Sequence, residues 1–451
     1  MKLFVLSALT ACAPTISADV AMRAHTPSTT EGLPAMKSFT APRVSAPSRP
    51  NAEIAQDFLD LEFRMESGRI LPVFTRFEGP ITVALRGDVP GTAGPDLARV
   101  IQRLRTEAGI DLHQTSNDAS ITIEFVPRQQ ILTAYSNVAC FVVPHVSSWA
   151  GYRAARGTAK LDWGTVMRRE NVAIFVPSDT SPQEVRDCLH EELAQAMGPL
   201  NDLYQLSDSV FNDDNFHTVL TGFDMLILRL HYAPELRSGM SRAEVAARLP
   251  GLLARMNPQG QRPGGKAADN TPRPWITAIE TALGAKASAK VRRAAAQQAL
   301  AIARAQGWHD SRLAFSLFAI GRLNSGHDAA TAAAAFSEAG RIYRSLPGGQ
   351  IHAAHVDMQM AAFALSNGHA TEALALADRA IPVVLAAENA ALLATLMMVK
   401  AEALTALGRV AEARAVRLDS LGWARYGFGS QTAVRARMSE IAALVPGRQQ
   451  G

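Results

Sequence analysis

Only three cysteines stand in 451 residues, and no block of Lys and Arg is interleaved with aromatics. Nor does any segment beyond the N-terminus hold the roughly 18 uninterrupted apolar residues that a membrane span needs. The missing basic block excludes nucleic acid as a partner. The net charge of +4 is small for this length, and the excess of Arg over Lys reflects coding bias rather than a binding surface. With 48% hydrophobic and 19% charged residues the chain is not disordered as a whole. Its length allows two or three domains, each with its own core.

What is present begins at the N-terminus. Lys2 gives a positive start, an apolar run follows from Leu3 to Ala11, and Leu9-Thr10-Ala11-Cys12 closes it. A cationic-then-apolar opening is an export signal rather than a piece of fold. Its ending resembles the bacterial lipobox, which implies lipidation of Cys12 and removal of residues 1–11. The run is short, which points to a start further upstream. The competing reading is an ordinary secretory peptide cut after Ala18 or Ala21, with Cys12 incidental. Residues 12–50, rich in Ser, Thr, Pro and Ala, read as a tether between membrane and domain. The expected address is the periplasm, anchored to the outer rather than the inner membrane.

From Asn51 to about Pro258 the pattern is mixed. Helical spacing over 54–65 and 96–108 frames short β-rich runs at 81–85, 121–125, 140–143 and 172–176. That order predicts a four- or five-stranded sheet with helices packed on it. Ser181-Pro182-Gln183-Glu184 is a capping box with Pro at the first helical position, opening a helix that stops at Gly198-Pro199. Thr221 and Ser241 open two more, the first with Phe223, Leu226, Ile227 and Leu230 on one face. A linker over 257–273 leads to Ala-rich helices over 274–446. Leu323-Asn324-Ser325-Gly326, Leu365-Ser366-Asn367-Gly368 and Leu407-Gly408 recur roughly 40 residues apart, the spacing of helical pairs. These segments resemble tetratricopeptide-type repeats, and Leu365 to Ala373 fits their pattern in full. The resemblance implies an unidentified protein or peptide partner; the rival is a plain Ala-rich bundle with coincidental turns.

One segment looks like a site. His190-Glu191 is not a zinc helix of the His-Glu-x-x-His kind, since position 194 is alanine. Shifted by one residue, Glu191-Glu192-x-x-Gln195-x-x-Gly198-x-x-Asn201 has the spacing of the metzincin metalloprotease motif. All three metal-ligand positions, Glu191, Gln195 and Asn201, are changed, while the catalytic Glu192 and Gly198 remain. At about 100° per residue, Cys188, Glu191, Glu192 and Gln195 share one arc and His190 points away. Gly198 in a left-handed conformation would return Asn201 toward them. Ser209-Val210-Phe211 stands where the Met-turn would lie, and 220–232 resembles the closing helix of matrixins and astacins.

More specifically, the chain resembles a bacterial lipoprotein family defined by domain of unknown function 2927. The matching stretches are Asp57-Phe58-Leu59-Asp60-Leu61, Glu66-Ser67-Gly68-Arg69, 76–81, Cys188 with Glu191-Glu192-x-x-Gln195, Asn201-Asp202, 211–214 and 234–240. The expected architecture is thus an α+β zincin-like domain over 51–256 followed by an all-α helical-repeat domain over 274–446.

Glu191, Gln195 and Asn201 offer one anionic and two neutral ligands, too poor in nitrogen and sulfur for tight zinc. Three uses stay open: a peptide-binding pseudoenzyme, weak binding of a harder divalent cation, or metal-free hydrolysis by two carboxylates with Glu192 as general base. The cation would use Glu191 and Glu192 with Asp202, Asp213 or Asp214. A buried structural network of Glu191, Gln195, Asn201 and Asp202 is the bland account. His217 reads as a solvent-exposed loop residue rather than a stray ligand, and Asp213 and Asp214 suit a turn. With Cys12 lipidated, Cys140 and Cys188 remain as an even pair, either a disulfide pinning the site helix to the sheet or two buried thiols.

Overall fold

The computed structural model describes residues 33–39, 46–135, 138–264 and 270–446. The export signal over 1–11, Cys12, and most of the tether over 12–50 lie outside the described residues. The pieces of the tether that are described are not free spacer. Phe39 is buried and stacks on Trp423 at 4.7 Å, and Arg49 pairs with Asp208 at 3.0 Å and with Asp57. Single large side chains dock into sites built by the folded part, which composition does not reveal.

The first region begins with α1 (Asn51–Glu62), whose Ile54, Phe58 and Leu61 form one fully buried face. Then follow β1 (Ile81–Gly87), α2 (Ala93–Glu107), β2 (Leu112–Gln114), β3 (Ile121–Val126), α3 (Arg128–Ala134), β4 (Phe141–Pro144), α4 (Trp149–Ala155), β5 (Val172–Pro177) and α5 (Pro182–Met197). The strands make one five-stranded mixed sheet in the order β2-β1-β3-β5-β4. All neighbours are parallel except β4, which runs antiparallel to β5 at the edge. Strand β5 is buried at every position, as a strand covered on both faces must be, so it reads as a continuous apolar run. The four expected strands are present. β2, α3 and α4 escape a periodicity reading because segments of three and seven residues are too short to show a period.

Two capped helices close the region, α6 (Gly222–His231) and α7 (Arg242–Met256). Thr221 with Asp224, and Ser241 with Glu244, form complete capping boxes. Helix α6 is not amphipathic as expected: Met225 and Leu228 are as buried as Phe223 and Leu226, because it is enclosed within the core.

Beyond the linker, described except for 265–269, come α8 (Arg273–Leu283), α9 (Ala289–Ala305), α10 (Ser311–Asn324), α11 (Ala329–Ser345), α12 (Gln350–Ser366), α13 (Ala370–Ala386), α14 (Ala390–Ala406), α15 (Val410–Phe428) and α16 (Gln431–Ala442). No strand occurs here among the described residues. The three repeated glycines each fall in a turn between consecutive helices: α10 and α11, α12 and α13, α14 and α15. Gly368 and Gly408 take φ of 78° and 76°, and the residues after them, His369 and Arg409, bond back to Ala364 and Leu404 at 2.8 and 2.9 Å. That is a Schellman ending, which needs a residue free of Cβ strain. Gly326 is not left-handed, so the first turn differs from the other two. No helix among the described residues is long and apolar enough to cross a membrane.

The two regions interlock. Tyr204 and Phe216, from the segment after α5, belong to the core of the helices; Phe216 meets Phe318 at 5.1 Å and His355 at 4.6 Å. On α5, Arg186 reaches Glu388 at 3.1 Å and lies over Tyr426, while Gln183 bonds Asn389 at 3.1 Å. Tyr426 in turn donates to Asp96 of α2 at 3.0 Å.

Candidate functional site

Helix α5 organises the site. Ser181 caps it by accepting the Glu184 amide at 3.2 Å, with Pro182 in the first turn. The expected capping box is only half made: the Glu184 carboxylate is taken by Arg128 and Thr180, and a charged partner outcompetes a neutral amide. Val185, Leu189 and Leu193 are fully buried against the sheet. Cys188 is joined to Cys140, so a disulfide ties α5 to the residue preceding edge strand β4.

The far end of α5 is held by a residue the sequence did not advertise. Arg169 is buried and donates to the carbonyls of Gln195 at 2.6 Å, Ala196 at 2.8 Å and Gly198. It satisfies orphan carbonyls and places a cation at the negative end of the helix. Burial lowers its pKa to about 10, leaving it charged at neutral pH. Gly198 itself has φ −147°, not the left-handed conformation expected. Pro199 disfavours helical backbone before it, and the glycine serves close packing instead: an added Cβ would lie 3.3 Å from Leu228 and 3.5 Å from His231.

Of the three residues spaced like metzincin ligands, Glu191, Gln195 and Asn201, the last departs. Its amide donates to the Asp60 carbonyl of α1 at 2.9 Å, and it is the next residue, Asp202, that accepts from Gln195 at 3.4 Å. Asp202 meets two acids from distant segments. Glu66 comes from the turn after α1 and Asp213 from the turn at 212–215, and ligand oxygens of all three lie within 4.8 Å of one another. Glu191 and Glu192 stand close enough to these acids to feel their charge. Glu192 is only 5% exposed, and its Oε2, like Oδ1 of Asp202, is buried without a hydrogen-bond partner. Glu66 and Asp213 form the exposed rim.

The electrostatics follow from crowding like charges away from water. Desolvation, then Asp213 and Glu66, push Glu191 up to about 8. Desolvation and Glu66 push Asp213 up to about 7. Glu192 and Asp202 are raised well above the carboxylate range, again by burial first and by neighbouring acids second. Among the described residues no basic side chain forms an ion pair with any of the five. Zinc chemistry does not fit this donor set, which is all oxygen, with no imidazole or thiolate.

The nearby histidines are engaged elsewhere. His190 is buried, and its Nδ1 accepts the Leu220 amide at 3.2 Å; burial holds its pKa well below the ordinary value, so it is neutral. His217 is not the solvent-exposed residue expected. It is partly buried, donates from Nε2 to the Ser207 carbonyl at 3.1 Å and faces His352 at 5.4 Å, because the helices cover this loop. Asn212-Asp213-Asp214 does form a turn, in which the Asp214 amide donates to Asn212 Oδ1 at 3.1 Å. Asp214 is satisfied by Asn212 and by His352, each at 2.9 Å, leaving Asp213 to face the acids. Ser209, in the segment aligned with a Met-turn, donates to Asp224 at 2.5 Å.

Glu66 was legible in the sequence only as part of a longer matching stretch, whereas Asp202 and Asp213 stood among the candidate cation ligands. Nothing in the spacing of 66, 202 and 213 signals that they meet. No curated protein and no solved structure matches the chain. Residues 51–251, from α1 into α7, match the family described as "Protein of unknown function (DUF2927)".

Proposed function

We propose that this protein is an exported, lipid-anchored binding protein, tethered through Cys12 at the periplasmic face of a membrane. Its first region is a zincin-like domain that has given up zinc hydrolysis and uses its carboxylates to recognise a cationic group on a peptide or protein. The helices are a tetratricopeptide-like partner surface. One observation carries the reading: where a metzincin would gather imidazoles, this chain gathers Glu191, Glu192, Asp202, Glu66 and Asp213 without a basic partner. The chemistry of such a centre attracts positive charge and holds zinc poorly.

A second reading rests on the bare Oε2 of Glu192 beside Glu191. Two neighbouring carboxyls, one kept protonated by burial beside the other, are the equipment of metal-free acid–base hydrolysis, in which Glu192 stands at the general-base position of the motif.

The experiment is elemental analysis of the purified full chain together with a peptide-cleavage assay of wild type and Glu192→Gln. Binding without catalysis predicts sub-stoichiometric zinc and no cleavage by either protein. It also predicts salt-sensitive capture of basic peptides, weakened by Glu66→Gln. Stoichiometric zinc, or cleavage that Glu192→Gln abolishes, replaces it with the hydrolase.

A further inference from the structure

The acid cluster makes a narrower demand than general attraction for positive charge. Glu66, Asp202 and Asp213 come from three separate segments, and each is placed by its own local bonds. The Glu66 turn is closed by the Met65 amide on the Arg69 carbonyl at 2.9 Å, with Gly68 at φ 81°. Asp202 is steadied by Gln195 at 3.4 Å. In the third turn the Asn215 side chain donates to the Asp213 carbonyl at 3.0 Å. Independent scaffolding that aims three carboxylates at one point is unfavourable unless protons or a bound cation neutralise them.

A second observation comes from buried oxygens at and near the three. Glu192, 5% exposed, keeps Oε2 buried with no hydrogen-bond partner, and its carboxyl lies close enough to Glu66 to feel its charge. Asp202 Oδ1 is bare in the same way. Buried carboxylate oxygens without donors are costly, and a bound cation is one way to satisfy them.

We propose that Glu66, Asp202 and Asp213 bind one calcium ion, with water completing its shell through the open rim. The inference rests on the reading that these acids no longer serve zinc. All-oxygen donors select a hard cation. Oxygens at about 2.4 Å from calcium stand at most about 4.8 Å apart, whereas an octahedral magnesium shell spans at most about 4.2 Å. Ligand oxygens within 4.8 Å of one another fit a calcium shell, whose irregular geometry suits a cluster drawn from three segments better than the near-ideal octahedron that magnesium demands. Three carboxylates on an open rim place the affinity with the weak extracellular class, Kd about 10⁻⁴–10⁻³ M.

The test uses the full chain, stripped with EDTA at pH 7.5 and titrated with calcium chloride by calorimetry and thermal melting. The expected result is saturable binding of one ion and a Tm rise of about 1.5–3 °C at 10 mM. Asp213→Asn and Glu66→Gln, both on the rim, keep the wild-type circular dichroism and weaken binding at least tenfold. Asp118→Asn, an exposed acid between β2 and β3, binds calcium as wild type does. Absence of saturable binding, an equal response to magnesium chloride, or equal weakening by Asp118→Asn overturns the proposal. Zinc in the unstripped protein would instead sink the loss of zinc chemistry, whereas zinc-free protein that fails to bind added calcium would sink only the calcium site.

Discussion

The helical region and the sheet region both bury acids, and they treat them in opposite ways. Among the helices, Asp357, 3% exposed, lies between Arg344 and Arg379, with Arg379 Nε at 2.9 Å. Glu402 is met by Arg417 at 2.8 Å, and Glu388 by Arg186 from α5 at 3.1 Å. The sheet region follows the same rule away from the site, where Arg49 serves Asp57 and Asp208. It breaks the rule at Glu66, Glu191, Glu192, Asp202 and Asp213. The other buried carboxylates are met by a guanidinium, an imidazole or hydroxyl and amide donors, as Glu62 is by His231 and Asp224 by Ser209 and the Thr221 amide, whereas this group has no basic partner among the described residues.

The comparison is tested most severely where the regions meet. Arg186→Met strands Glu388 and removes a cation packed on Phe39 and Tyr426 at 5.0 and 5.5 Å. The expected loss is about 3 kcal/mol, since breaking a buried pair leaves an uncompensated charge. Urea unfolding should also separate into two transitions. A loss under about 1 kcal/mol in a single transition would show that the pairing is ornamental.

Glu192→Gln should act in the other direction. Removing one member of an unpaired cluster is expected to stabilise calcium-free protein by about 1–2 kcal/mol at pH 8. The pH dependence carries the same sign. Glu191 and Asp213 are raised to about 8 and about 7 when folded, so their contribution is fully present at low pH and lost as pH rises through those values. Calcium-free protein should therefore melt progressively lower between pH 5 and pH 8.5 by scanning calorimetry. Glu192→Gln should flatten the fall; an unchanged slope would mean the acids do not sense one another.

The smallest effect sharpens the helical half of the comparison. Ala at Gly368 or Gly408, with φ of 78° and 76°, should cost about 1 kcal/mol each. Gly326→Ala should cost clearly less, because that turn is not left-handed. Equal costs at all three positions in thermal melts would restore the equivalence of the turns that their spacing implied.

Local signals settled much of this protein from its residues alone. The β-rich runs at 81–85, 121–125 and 172–176, the caps at Ser181, Thr221 and Ser241, and the helical pairs turning at Gly368 and Gly408 are dictated by side-chain periodicity and backbone preference. Such preferences act within a few residues and need no partner. The motif on α5 likewise put Glu191, Glu192 and Gln195 on one arc, because helix geometry depends on sequence spacing alone. Tertiary structure decided the rest. It paired Cys140 with Cys188, set Arg169 on the end of α5, turned Asn201 toward α1 and brought Asp202, Glu66 and Asp213 together. It also drew Tyr204 and Phe216 into the helical core. Each of these joins groups far apart in the chain, where no local rule fixes distance and only the packing of the whole core determines which side chains meet.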